Sequence, residues 1–271
     1  MSPVKKAGDI SVKGANMKLL FIGDVVGKSG CDFLADRIYS LKKSENIDIT
    51  VINGENSAEG NGITPQSLAM LKKMGADVVT TGNHCFRRKE IMSFYDSEDI
   101  LLRPANYPEG VVGKGVCTLD FGRYSIAVVN IQGTVYMDQL DNPFTVIDRI
   151  LSELDTPNIF IDFHAEATSE KKAMGHYLTG KVTAVLGTHT HVQTADAMVL
   201  GEHTAYITDV GMTGPELSAL GVKSEIIIEK LRFHHPVKFE ESTNPCFINC
   251  VCVEFDEKTG KAYRITPMQI R

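Results

Sequence analysis

No stretch of this 271-residue sequence is apolar for long enough to be read as a membrane-crossing helix. None of the six cysteines, Cys31, Cys85, Cys117, Cys246, Cys250 and Cys252, stands in a CxxC pair, so a thiolate zinc site is not indicated. They read as buried, reduced small hydrophobes, which suits a cytoplasmic protein. Positive charge is not in excess: 28 Lys and Arg face 34 Asp and Glu, a net charge of −6, which gives no reason to expect duplex nucleic acid as a partner. A small phosphorylated substrate is still compatible with that balance, because metal ions can supply local positive charge. No internal repeat, low-complexity tract or linker rich in Pro, Gly or Ser divides the chain. Residues 1–16 carry Lys5, Lys6 and Lys13 without the apolar core of a signal peptide, and are read as a flexible extension. One domain over residues 17–271 is expected. Nothing points to a membrane partner, and self-association is compatible with the sequence without being decided by it.

What is present is 43% hydrophobic and 23% charged residues, arranged as continuous apolar runs alternating with helical periodicity. That pattern belongs to strands buried on both faces by helices. It predicts strands at 19–23, 49–53, 78–81, 159–163, 182–186, 205–208, 247–255 and 262–267, with a hairpin pairing 115–120 with 125–130. Helices are expected at 31–43, 64–74, 87–95, 145–154, 169–178 and 224–231. Pro65 stands at the first helical position of the second of these, and Gly75 closes it. The order implies a mixed α/β sandwich with polar loops at the carboxyl ends of the strands.

Five such ends carry metal-ligand chemistry: Asp24, the pair Glu55 and Asn56, the pair Asn83 and His84, His164, and the pair His189 and His191. The last two are one residue apart, and on an extended chain both would face the same point. Alone, each has an ordinary explanation, since Asp24 could cap a helix and Asn83 could shape a turn. The other histidines, His176, His203, His234 and His235, are read as satisfied surface or core residues. Carboxylate, carboxamide and imidazole without thiolate suit Fe, Mn or Zn. Seven ligands exceed what one ion needs, and paired ions about 3.5–4 Å apart are common in phosphate-ester hydrolases. Glu59, Glu166 and Asp209 are candidates for orienting the imidazoles, with solvated loop carboxylates as the alternative. The stretch 211–215 could line a pocket or form a plain turn.

The segment from Gly23 to Ser29 imitates a phosphate-binding loop but has three residues, not four, between its first Gly and the Gly-Lys-Ser, so an NTPase is not favoured. Adjacency of Cys85 to His84 does not supply the geometry of a thiol nucleophile.

In order and spacing, Gly-Asp at 23–24, Gly-Glu-Asn at 54–56, Gly-Asn-His at 82–84, His164 and Gly-Thr-His-Thr-His at 187–191 resemble the motifs of calcineurin-like metallophosphoesterases. The runs at 54–62 and 162–171 are similar to the bacterial YmdB-like branch, whose members are dimetal phosphodiesterases acting on cyclic nucleotides. The resemblance implies an α/β/β/α sandwich of mixed sheets flanked by helices. It implies one metal held by Asp24, Glu55, Asn56 and His191, and a second held by Glu55, Asn83, His164 and His189, with Glu55 bridging. Iron is the first choice, with Mn and Zn as alternatives. It further implies hydrolysis of 2′,3′- or 3′,5′-cyclic nucleotides by a bridging hydroxide, with His84 protonating the departing ribose oxygen. The alternatives are a metal-containing regulatory or binding protein, and a phosphomonoesterase or nucleotidase on the same two ions. Where the branch continues Thr-Trp-Asp after Gly-Asn-His, this chain has Cys85-Phe86-Arg87, a change placed to alter how His84 is held or how a base stacks.

Overall fold

A computed structural model describes residues 16–271. The extension expected at 1–16 lies outside the described residues, apart from Asn16, which begins the first strand.

Two sheets form the centre. In the first, β1 (Asn16–Ile22), β3 (Ile49–Asn53) and β4 (Val78–Thr80) run parallel. On the other side of β1, β12 (Cys246–Asp256) pairs antiparallel, followed by β11 (Met212–Pro215) and β2 (Asp24–Val25), with β13 (Ala262–Ile270) also on β12. The second sheet has the order β5 (Val116–Asp120), β6 (Ser125–Gln132), β7 (Ile159–His164), β8 (Ala184–Thr188), β10 (Thr204–Ile207), β9 (Met198–Leu200).

Strand alternation explains the layering. Leu19 and Phe21 of β1, Val51 of β3 and Val253 of β12 face one way and meet Val128 of β6, Phe160 of β7 and Leu186 of β8 between the sheets. Their neighbours Leu20, Ile22, Ile52 and Cys250 face the other way, toward Leu34 and Ile38 of α1 (Gly27–Glu45) and Leu68 and Leu71 of α2 (Pro65–Lys73). Beneath the second sheet, Val129, Ile161 and Phe163 pack with Ile147 of α4 (Pro143–Glu153) and Met174 of α5 (Thr168–Tyr177). The result is the expected α/β/β/α sandwich of mixed sheets. Residues i and i+1 of each central strand serve different interfaces, so the strands read as continuous apolar runs.

Four local expectations are corrected. Helix α1 begins at Gly27, not at 31, because the N–H of Ser29 is capped by the Glu241 carboxylate (3.0 Å) from far along the chain. The helix expected at 87–95 is broken into a 3₁₀ turn at Lys89–Ile91 and α3 (Met92–Ser97). Arg88 is extended there, and its side chain bonds the carbonyls of Asn61 (2.9 Å) and Glu59. The strand expected at 182–186 is β8, two residues later, in register with β7 from Phe160↔Ala184 to His164↔Thr188. The stretch at 211–215 forms β11, which pairs with β12 and β2. The hairpin is as expected, with Asp120 opposite Ser125. Beyond these, α6 (Ser224–Phe233) has no buried residue. No helix among the described residues is long and apolar enough to cross a membrane.

Candidate metal centre

The ends of β1, β3 and β4 in one sheet and of β7 and β8 in the other open on the same side, and residues at or just beyond them converge. Asp24 is fully buried; its Oδ2 accepts the His189 N–H (3.2 Å), and its Oδ1 lies 3.8 Å from His191 Nε2. Glu55 is 1% exposed, with Oε1 2.8 Å from His84 Nδ1 and Oε2 3.0 Å from His164 Nε2. Among the described residues, neither Glu55 oxygen has an aligned donor, nor does Asp24 Oδ1. Buried carboxylates left so are costly unless something positive completes them. Gly82 makes the convergence sterically feasible, since a Cβ there would fall 1.9 Å from Glu55 Oε2 and 2.3 Å from His164.

A hydrogen-bonded relay orients His164. Its Nδ1 is 2.9 Å from Thr188 Oγ1, and that hydroxyl donates to Asp162 Oδ1 (2.7 Å). A hydroxyl has one proton, so Thr188 accepts from His164, and His164 carries its proton on Nδ1. Asn53 ties the relay to Glu55: its Nδ2 donates to Asp162 Oδ2 (2.9 Å), and its Oδ1 accepts the Glu55 N–H (3.1 Å). His164 Nε2 is therefore the atom that faces Glu55 Oε2, Asn83 Oδ1 (3.0 Å) and His189 Nδ1 (3.1 Å). A carboxylate oxygen, a carboxamide oxygen and two ring nitrogens gathered this closely call for positive charge among them, a proton on Nε2 or a cation in its place. Glu55, His164 and His189 offer ligand atoms within 4.8 Å of one another.

The same field shifts the pKa values of these groups. Burial opposes charge on His164, yet Glu55, Asp24 and Asp162 overcome it and lift its pKa to about 9. His189 is pushed down to about 3 by burial and by its neighbour His164, which keeps its imidazole neutral and able to ligate. Burial raises the Asp24 carboxyl against the pull of His191.

Beside this cluster, Asn56 Nδ2 is 3.3 Å from His191 Nε2, and Asn56 Oδ1 is 3.1 Å from His84 Nδ1. Thus Asp24, Glu55, Asn56, Asn83, His84, His164, His189 and His191 all lie in one linked constellation. The two histidines after β8 do not address a single point from an extended strand, as their spacing suggests. The strand ends at Thr188, His189 and His191 both take positive φ, and their rings go to different partners.

Among the carboxylates considered for support, Glu166 Oε2 lies 3.1 Å from His189 Nε2, and Asp209 accepts from Thr190 N (3.0 Å) and Oγ1 (2.8 Å). Glu59 is exposed and contributes its carbonyl to Arg88 instead. Phe86, at the departure from the branch pattern, packs edge-on against Tyr95 and Tyr107, each at 5.3 Å. Sequence reasoning missed Asn53, Asp162, Thr188 and Lys171. Asp162 was within reach of it, because it stands two residues before His164 on one strand and shares its face.

Asn56 and His191 also line a cavity of about 1010 Å³, together with Val26, Arg88, Leu220, Phe239 and Glu241. The constellation thus has a buried side and a side open to a ligand-sized space.

Residues 20–268 match the family described as YmdB-like protein. A 2′,3′-cyclic-nucleotide 2′-phosphodiesterase of Bacillus subtilis (strain 168) is 46% identical over 251 residues, 92% of this chain and 95% of the relative. The solved structure of a novel phosphatase from Mycoplasma pneumoniae superposes with a TM-score of 0.91 at 32% identity, covering 95% of this chain and 94% of that one. A hypothetical protein from Thermus thermophilus gives a TM-score of 0.89 at 38% identity, covering 93% of this chain and 98% of that one.

Proposed function

The chain belongs to the YmdB-like family of calcineurin-like metallophosphoesterases, and from that membership we propose that it is a dimetal phosphodiesterase hydrolysing small cyclic nucleotides. The observation that carries the reading is the gathering of buried carboxylate, carboxamide and imidazole groups, with both Glu55 oxygens and Asp24 Oδ1 left without a hydrogen-bond donor among the described residues, beside a cavity large enough for a nucleoside. The named activity of the Bacillus subtilis relative favours 2′,3′-cyclic substrates over 3′,5′-cyclic ones.

In this reading Asp24, Glu55, Asn56 and His191 would hold one ion, and Glu55, Asn83, His164 and His189 would hold the other. The oxygen and nitrogen donor set suits iron, with manganese and zinc as alternatives. When bound, the two ions supply Lewis acidity toward the phosphoryl oxygens and toward the attacking water. The remaining work falls to the chain. His84 is held through Nδ1 by Asn56 Oδ1, with Glu55 Oε1 2.8 Å away, which leaves Nε2 to deliver a proton to the ribose oxygen as its bond to phosphorus breaks. Water contributes the new oxygen on phosphorus, and the product is a nucleoside monophosphate. The pocket walls at Leu220 and Phe239 face the nucleoside. Residues 17–271 act as one domain, since the cluster between the sheets draws on residues from Met17 to Ile265. The six free cysteines suit a cytoplasmic setting.

The test is a panel of 2′,3′- and 3′,5′-cyclic nucleotides and nucleoside monophosphates, run with Fe, Mn and Zn returned in turn to metal-free protein. His84→Ala is expected to lose about 10²–10⁴-fold in hydrolysis of a cyclic nucleotide while retaining its metals. Equal rates for the two proteins would overturn the assignment of His84. Turnover of monophosphates alone would favour the phosphatase reading that the Mycoplasma pneumoniae structure's name suggests.

A further inference from the structure

Beyond β8 the backbone enters a region that side-chain-bearing residues rarely adopt, with φ of 100° at His189 and 65° at His191. Two imidazoles held this way, one residue apart, need a constraint from outside the loop. The surrounding structure supplies one buried ion pair. Lys171, on α5, donates from Nζ to the Thr188 carbonyl (2.7 Å) and to Asp209 Oδ2 (2.6 Å). The same Asp209 oxygen accepts the Thr190 N–H (3.0 Å) and hydroxyl (2.8 Å), while Oδ1 accepts the Gly211 N–H (2.8 Å).

The two peptide groups that bracket His189 are therefore pinned: the carbonyl before it by Lys171 and the N–H after it by Asp209. With both peptide planes fixed, the φ and ψ of His189 are fixed. His191 is held in turn through its own carbonyl, which accepts the Met212 N–H (3.1 Å), and Met212 follows the Gly211 that Asp209 anchors. A buried ion pair is a poor source of net stability, because desolvation offsets the attraction. Its effect here is geometric.

We propose that Lys171 and Asp209 are positioning residues that clamp the 188–191 loop so that His189 and His191 present their imidazoles to both halves of the metal centre. The proposal rests on the dimetal reading of that centre, and its test does not depend on hydrolysis.

Metal-free wild type and Lys171→Met are titrated with Mn²⁺ by calorimetry, and their Co²⁺ forms are compared by visible absorption, which reports coordination geometry. Lys172→Met serves as control, since Lys172 is the next residue on α5 and pairs with Asp196 (2.8 Å) at a partly exposed site. Lys171→Met is expected to bind Mn²⁺ at least tenfold more weakly and to shift the Co²⁺ spectrum, with Lys172→Met matching wild type in both. Affinity within twofold of wild type and an unchanged spectrum overturn the proposal. If Lys171→Met does not fold, Thr190→Val removes one donor to Asp209 at a half-exposed position. At least threefold weaker binding is then expected, and wild-type affinity overturns the proposal. Wild type that binds no pair of ions would instead sink the dimetal reading itself, whereas wild type that binds ions but hydrolyses nothing leaves the clamp standing.

Discussion

The two halves of the proposed metal centre are built differently. Around His164 the site is dry: the ring is fully buried, its Nδ1 is committed to Thr188, and Asp162 and Asn53 complete the support. Around His191 the side chain is 12% exposed, Nδ1 has no partner among the described residues, and the ring borders the large cavity. One half is defined by the polypeptide and the other by what enters the cavity. That asymmetry suits an enzyme that keeps its metals while exchanging substrate. Glu55 touches both halves, so it offers the harshest test. Glu55→Gln is expected to strip both ions and reduce hydrolysis to background, measured by elemental analysis and by turnover of a 2′,3′-cyclic nucleotide. Retention of two ions per chain would mean that the halves are independent and that Glu55 does not bridge them.

A milder change separates the halves. Thr188→Val keeps the shape of the side chain but removes the hydroxyl, leaving His164 Nδ1 and Asp162 Oδ1 without their buried partner. Weakening of metal binding by about 10–100-fold is expected, together with about 1–3 kcal/mol of lost stability from the unpaired groups. Because the relay serves His164, the loss should fall on one of two resolved binding events in a metal titration. Equal weakening of both events would show that the dry half and the open half form a single unit, and the comparison would fail.

The strand ends that carry the candidate ligands were legible because each is preceded by an apolar run, and a run such as Ile49–Asn53 states its burial. The candidate residues stood out because a carboxylate, a carboxamide or an imidazole stands at or just after the end of those runs. Other features have no local signature. Met212–Pro215 contains Gly and Pro and reads as a turn; it is a strand only because β12 and β2 lie on either side of it. Lys171 sits in a polar-looking helix, where a lysine suggests solvent, and its burial follows from where α5 lands on β8 and the segment after β10. Thr188 reads as a loop residue beyond the strand expected at 182–186, whereas it ends β8 with His164 of the neighbouring strand opposite it. In each case the information lies in contacts across long sequence separation, which a pattern of neighbours along the chain does not carry.

The smallest effect tests the open half from its far wall. Glu241 lines the cavity and caps α1 by accepting from the Ser29 N–H and hydroxyl, tying the loop after α6 to the first helix. Removing a helix cap costs about 0.5–2 kcal/mol, so Glu241→Ala should lower thermal stability modestly. None of the ligand residues bonds to Glu241, so two ions should remain bound with wild-type affinity. The cavity wall, by contrast, loses the contact that fixes its position. The KM for a cyclic nucleotide should therefore rise severalfold with kcat little changed, read from steady-state kinetics in matched metal. If metal affinity fell instead, the wall and the ligands would be coupled, and the open half would owe its geometry to the cavity loop, not to the strand ends.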